Sequence, residues 1–257
     1  MRFFDAHLHA DCRSSEEIET MALFGTEAAV TLAVGAGFSA SASMLDYWDR
    51  LMRAEPRRAA RYSLRLGTGL GLHPVTANGD YREALEDLPT WLALLGVVAM
   101  GELGLETGSA QEAALVQAQL TIAKQVGLPV VLHTPEENRL AVTHQLLEIV
   151  GQAALAPAVV LVDHVAEDTF ETVRASGCWI GLTVHPRSLT PQRAALLLER
   201  YGPERVMLSS DVGRDPADLW SLPRTALECR RLGLGEVAQP AFYDNACNFY
   251  GFDGPRW

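Results

Sequence analysis

Lysine is almost missing from this chain. Lys124 is the only one, against 20 arginines, and it falls inside a stretch predicted to be helical. No run of about 18 uninterrupted apolar residues occurs, which excludes a membrane-spanning helix. The four cysteines, Cys12, Cys178, Cys229 and Cys247, form no CxxC pair. In a chain of this length they read as reduced thiols of a cytoplasmic protein. Asp5, His7 and His9 come too early for the apolar core of a secretion signal. Low-complexity tracts and Pro/Ser linkers are lacking too, so residues 1–257 read as one domain. A glycine-rich phosphate loop is absent after the first predicted strand, where the chain reads HLHADCRS. The stretch GTGLGLHP alternates its glycines and does not space them as GxGxxG. Positive charge is short overall, with a net charge of −11. Such a chain does not draw in a long polyanion through its overall field, although a local basic pocket is still compatible with it.

What the chain does have is a regular alternation. Short runs rich in Val, Leu and Ala predict strands at 2–6, 28–34, 64–72, 97–101, 129–133, 158–163, 178–184 and 205–210. Longer amphipathic stretches predict helices at 15–24, 39–60, 80–95, 109–126, 136–151, 167–175, 191–201 and 215–231, with a last one at 236–249. Eight strand–helix repeats in about 250 residues predict an α/β fold, a single-domain (β/α)8 TIM barrel. Gly69 and Gly71 are expected to make room inside it. Six arginines, Arg50, Arg53, Arg57, Arg58, Arg61 and Arg65, lead into the third strand and are expected at the foot of the barrel, as a solvated helix face.

The strands end on chemistry. His7 and His9 follow the first, His73 the third, Glu102 the fourth, His133 the fifth, His164 the sixth and Asp211 the eighth. In a parallel barrel all these ends meet at one mouth. Side chains alternate along a strand, so His7 and His9 share a face, with Asp5 expected one layer below. Clustered imidazoles and carboxylates are costly to bury unless they pair or hold a cation. Four histidines, one glutamate and one aspartate suit two divalent metal ions: zinc first, with manganese, iron, cobalt or magnesium also fitting. His144 lies within a predicted helix and is given no role. Arg13, Arg139, Arg187 and Arg214 lie on loops of the mouth, with His185 after the seventh strand. Of the mouth residues, His73 and Arg187 are the chosen substrate contacts, able to grip a phosphate or carboxylate.

These motifs together resemble the TatD-like metal-dependent hydrolases of the amidohydrolase superfamily: DAHLHA, GLHP, GELGLE, VVLHT, VLVDHV, LSSDV and the closing NACNFYG. The resemblance spans nearly the whole chain. It implies one metal held by His7, His9 and Asp211, a second by His133 and His164, and Glu102 bridging them. Some amidohydrolases bridge with a carbamylated lysine, but Lys124 is misplaced for that and Glu102 takes the position. The resemblance also implies that Asp211 is the general base and that a phosphodiester is the substrate, DNA included. Three positions depart from the nuclease pattern. Ser209 stands where an acid is usual, Glu106 where an aspartate is usual, and ADCRS follows the first strand. The reading is therefore a hydrolase of a phosphoester or similar small anionic substrate. The alternatives are a TatD-type 3'-5' exodeoxyribonuclease, an amide or lactone hydrolase, and a non-catalytic metal-binding scaffold. Asp5 is expected to orient a metal-binding histidine, and Ser209 or Asp163 to do similar work or satisfy buried backbone.

Overall fold

The structure, a computed structural model, describes residues 1–35, 40–214 and 216–257. Eight parallel strands follow one another in order: β1 Phe3–Leu8, β2 Thr26–Leu32, β3 Arg65–Leu70, β4 Val97–Gly104, β5 Val130–His133, β6 Val160–Val162, β7 Trp179–Thr183 and β8 Val206–Ser209. The ring closes where β8 returns to β1. Asp211 donates its backbone N–H to the His7 carbonyl (3.0 Å), and His9 donates its own to the Val212 carbonyl (2.9 Å). This is the expected (β/α)8 barrel.

The helices form the outer layer: α1 Ser15–Leu23, α2 Ser41–Ala60, α3 Arg82–Leu92, α4 Ala110–Val126, α5 Arg139–Ala153, α6 Phe170–Ser176, α7 Pro191–Tyr201 and α8 Ser221–Arg231. Their starts follow local chemistry. Ser14 with Glu17, and Ser109 with Glu112, form reciprocal capping boxes that satisfy the first free N–H groups of α1 and α4. Thr190 caps α7, with Pro191 in its first turn. The helix expected over 215–231 is shorter, starting at Ser221, and the expected starts at 39 and 215 lie outside the described residues. The closing segment is a π-helical turn, Pro240–Asp244, running into α9, Asn245–Tyr250. Among the described residues no helix is long and apolar enough to cross a membrane.

The lower barrel is apolar. Phe4 stacks on Tyr250 (centroids 5.8 Å apart) and meets Phe252 and Trp257 edge-on. Tyr250 donates its hydroxyl to the Ala6 carbonyl (2.8 Å). Gly69 leaves space for Leu32, while Gly71 accommodates the Gly101 backbone and the Gln119 side chain. Two expectations need correction. The arginines are not one solvated face at the foot of the barrel. Arg53 is exposed, but Arg58 donates to the carbonyls of Ala10 (2.5 Å) and Arg13 (2.9 Å), fastening the segment after β1. Arg65 lies over the Phe252 ring, 4.0 Å from its centroid. Nor does Asp5 support a histidine ring from beneath. The β1–β2 pairing slips between Asp5 and Leu8, and the Asp5 carboxylate accepts the Ser210 N–H (2.9 Å) and hydroxyl instead. Burial raises its pKa to about 6, against those hydrogen bonds.

Candidate metal centre

The strand-end residues meet. Among the described residues, three groups have ligand atoms within 4.8 Å of one another: His7, His9 and Asp211; His7, Glu102 and His164; and His73, Glu102 and His133. Within the first, His7 Nε2 lies 3.2 Å from His9 Nε2, and His9 Nε2 lies 3.1 Å from Asp211 Oδ1. Glu102, almost fully buried, divides its oxygens. Oε2 lies 3.4 Å from His7 Nε2, while Oε1 lies 2.9 Å from His133 Nδ1 and 3.1 Å from His164 Nε2. His164 and Asp211 both hold left-handed backbone, with φ of 58° and 49°. Such strain in non-glycine residues gathers at functional sites.

The hydrogen-bond partners decide which histidine nitrogens can bind a metal. His9 Nδ1 lies 2.9 Å from the Leu32 carbonyl, which only accepts, so Nδ1 carries the proton and Nε2 offers its lone pair. His7 Nδ1 faces the Asp163 carboxylate at 2.6 Å, with the same consequence. His73 is arranged the other way. Its Nδ1 accepts the Val75 N–H (3.1 Å), which leaves the proton on Nε2 and makes His73 a donor, not a ligand. His185 repeats this motif, taking the Arg187 N–H on Nδ1 (3.3 Å).

Charge is shared throughout the cluster. Burial opposes ionisation of His7, but Glu102, Asp163 and Asp211 outweigh it and hold its pKa well above the ordinary value. His133 also loses hydration, yet Glu102 and Glu106 raise it to about 10. Glu102 and Asp211 stay ionised despite burial, held below the carboxylate range by the histidines around them. His73 goes down to about 3, from burial and then the nearby His133 cation, and is neutral at working pH. This cradle suits positive charge: protons in the metal-free protein, or a metal ion that displaces them. The donor set, imidazole nitrogens with carboxylates, fits zinc, manganese or iron.

The site opens into a cavity of about 280 Å³ lined by His9, His73, His133, His185, Arg187 and Arg214, among others. A second lobe of about 460 Å³ runs along Glu106, Glu136, Glu137 and Arg139. Arg187 stands on the rim of both, 3.5 Å from Glu136. Arg13 is drawn instead against Glu17 (3.3 Å). Two contacts were not expected from the sequence. Glu106 Oε2 reaches His133 Nε2 at 2.7 Å. Thr183 links His164, Asp163 and Ser209, at 2.9, 3.0 and 3.1 Å. Thr183 closes an apolar strand and gave no signal. Glu106 had one, in its extra methylene relative to the usual aspartate.

A family profile described as TatD related DNase matches residues 4–226. An uncharacterized metal-dependent hydrolase of Methanocaldococcus jannaschii is 34% identical over 249 residues, 96% of this chain and 98% of that protein. A 3'-5' ssDNA/RNA exonuclease TatD of Edwardsiella piscicida is 32% identical over 151 residues, 55% of each. Among solved structures, a TatD-like protein from Archaeoglobus fulgidus superposes with a TM-score of 0.84 at 29% identity, covering 97% of this chain and all of that one.

Proposed function

The chain belongs to the TatD-related DNase family of metal-dependent hydrolases, and on that premise we propose that it hydrolyses a small phosphoester, or a similar anionic substrate, with two divalent metal ions. The observation that carries this reading is the division of Glu102: one oxygen turned to His7, the other to His133 and His164. A buried carboxylate so placed would help to hold two ions, one through each oxygen. His7, His9 and Asp211 would hold one, and His133 and His164 the other. Zinc is the first choice, with manganese, magnesium, iron or cobalt also suited. The chemistry supplied by such ions is Lewis-acid polarisation of the substrate's ester and activation of a water for attack.

The chain's own residues do the rest. Asp211, partly exposed at the mouth and ionised, is the base that takes the proton from the attacking water. His73 donates from Nε2 to a substrate oxygen and, being neutral, does so without a charge of its own. Arg187 supplies the cation for an anionic group, in competition with Glu136. The acidic lobe formed by Glu106, Glu136 and Glu137 repels a long polyanion and favours a compact substrate. Four free cysteines are in keeping with a reducing cytoplasm. We take the whole chain, 1–257, as one hydrolase domain.

The likeness to an exonuclease favours a second reading, cleavage at the 3' end of a DNA strand seated in the pocket. Metal analysis of protein never exposed to chelators, followed by a panel of phosphoesters, esters, lactones, amides and single-stranded DNA, separates the two. Turnover of a small phosphoester with about two metal equivalents supports the first reading. Less than about one equivalent, or no phosphoester turnover with any of the five metals, overturns it. Turnover of DNA alone establishes the nuclease. Bound metal with no turnover of any kind would make the protein a scaffold.

A further inference from the structure

Asp163, fully buried at the end of β6, touches no solvent and is not placed to meet a substrate. Its two oxygens do different things. Oδ2 accepts from His7 Nδ1 at 2.6 Å. Oδ1 accepts the Thr183 hydroxyl at 3.0 Å and the His164 backbone N–H at 2.9 Å. Thr183 has a single proton, and a carboxylate can only accept, so that proton points to Asp163. The Thr183 oxygen is then left as an acceptor towards His164 Nδ1 (2.9 Å) and the Ser209 hydroxyl (3.1 Å). The chain of donors runs one way: His164 to Thr183 to Asp163, and His7 to Asp163. In both histidines Nδ1 carries a proton that the acceptor chain holds in place, and in both Nε2 is turned to Glu102, where a metal ion would take the place of its proton.

The fold reserves the space this requires. A Cβ on Gly181 of β7 would lie 2.2 Å from Asp163 Oδ1 and 2.8 Å from its Cγ. Gly181 has no left-handed backbone to account for it. The position is a glycine because the carboxylate needs the room.

We propose that Asp163 is a positioning residue that fixes the tautomers of two histidines at once, His7 directly and His164 through Thr183, and so prepares both metal sites with one carboxylate. This rests on the two-metal reading above, with His7 at one ion and His164 at the other. Partners of this kind typically change metal affinity roughly 10- to 100-fold when removed.

The test is titration of chelator-stripped protein with Mn2+ and Zn2+, reading two dissociation constants. Thr183→Val keeps the shape and removes the relay. It is expected to weaken one constant roughly 10- to 100-fold and spare the other. Thr183→Ser, which keeps the hydroxyl, should restore it. In Asp163→Asn, the amide oxygen stays with the His164 N–H and Thr183, and its NH2 faces His7. That variant should weaken the constant Thr183→Val spares. The inference is overturned if Thr183→Val leaves both constants unchanged or lowers both in parallel, or if serine fails to rescue. Should Asp163→Asn fail to fold, the Thr183 pair decides alone. Fewer than two sites in the wild-type protein would instead sink the two-metal reading, and this inference with it.

Discussion

The close approach of Gly181 to Asp163 gives a prediction whose size can be worked out. In Gly181→Ala the new methyl meets Asp163 Oδ1 at 2.2 Å, Cγ at 2.8 Å and Cα at 3.0 Å. Asp163 cannot swing clear, because its carboxylate is fixed by His7, Thr183 and the His164 N–H. Overpacking a tight interior costs about 1–3 kcal/mol. Pushing the carboxylate aside also weakens hydrogen bonds to a charged group, about 1.5–3 kcal/mol for each one lost. Losing one such bond gives a total of about 2.5–6 kcal/mol. For a chain of this size that lowers Tm by roughly 5–24 °C, at about 2–4 °C per kcal/mol. The assay is thermal unfolding of metal-free protein, repeated in an Asp163→Ala background. There the two closest contacts, to Oδ1 and Cγ, are gone and the 3.0 Å contact with Cα is the nearest of the three that is left, so Gly181→Ala should cost less than half as much. An equal cost in both backgrounds, or a cost below about 0.5 kcal/mol in the wild-type background, would refute the account of this glycine.

Three further outcomes follow from the site. Glu102→Gln should retain the fold yet lose at least one metal equivalent, as measured by elemental analysis, because a neutral amide cannot bridge two cations. Chelation should lower Tm, and adding back a metal at about 100 times its dissociation constant should return about 2.7 kcal/mol per site, seen by calorimetry. Arg187→Ala should raise KM for an anionic substrate several-fold while metal content is unchanged; a change confined to kcat would place Arg187 elsewhere in the reaction.

Much of this was legible in the sequence, and the reason is geometric. Parallel barrel strands are short apolar runs, so a lone His, Glu or Asp at a run's end stands out, and closure brings such ends together. His7, His9, Glu102, His133, His164 and Asp211 were each visible in this way. What resisted reading was anything set by register or by pairwise reach. Asp5 sits two residues before His7, and strict alternation would stack it beneath that histidine. The slip in β1 pairing sends it to Ser210 instead. Asp163 stands beside His164 in sequence, yet its shortest contact is to His7, 156 positions away. The acid expected at position 209 is a serine, and the carboxylate in that neighbourhood comes from β6 instead. Arg58 looked like part of a charged helix face. Only the folded chain shows that its head group meets the carbonyls of Ala10 and Arg13.

The hydrogen bonds that close the barrel come from residues that also carry the site: His7, His9 and Asp211. On a ribosome, the two histidines leave the tunnel long before their carboxylate is made. Asp5 and Ser210, which meet at the same seam, are 205 positions apart. At the usual 5–20 residues per second, that is a delay on the order of 10–40 s. During that interval a growing chain has the two imidazoles but not the carboxylate that completes the group of His7, His9 and Asp211. That corner of the site therefore waits for β8, and a chain that stalls before it lacks both the corner and the hydrogen bonds that close the barrel.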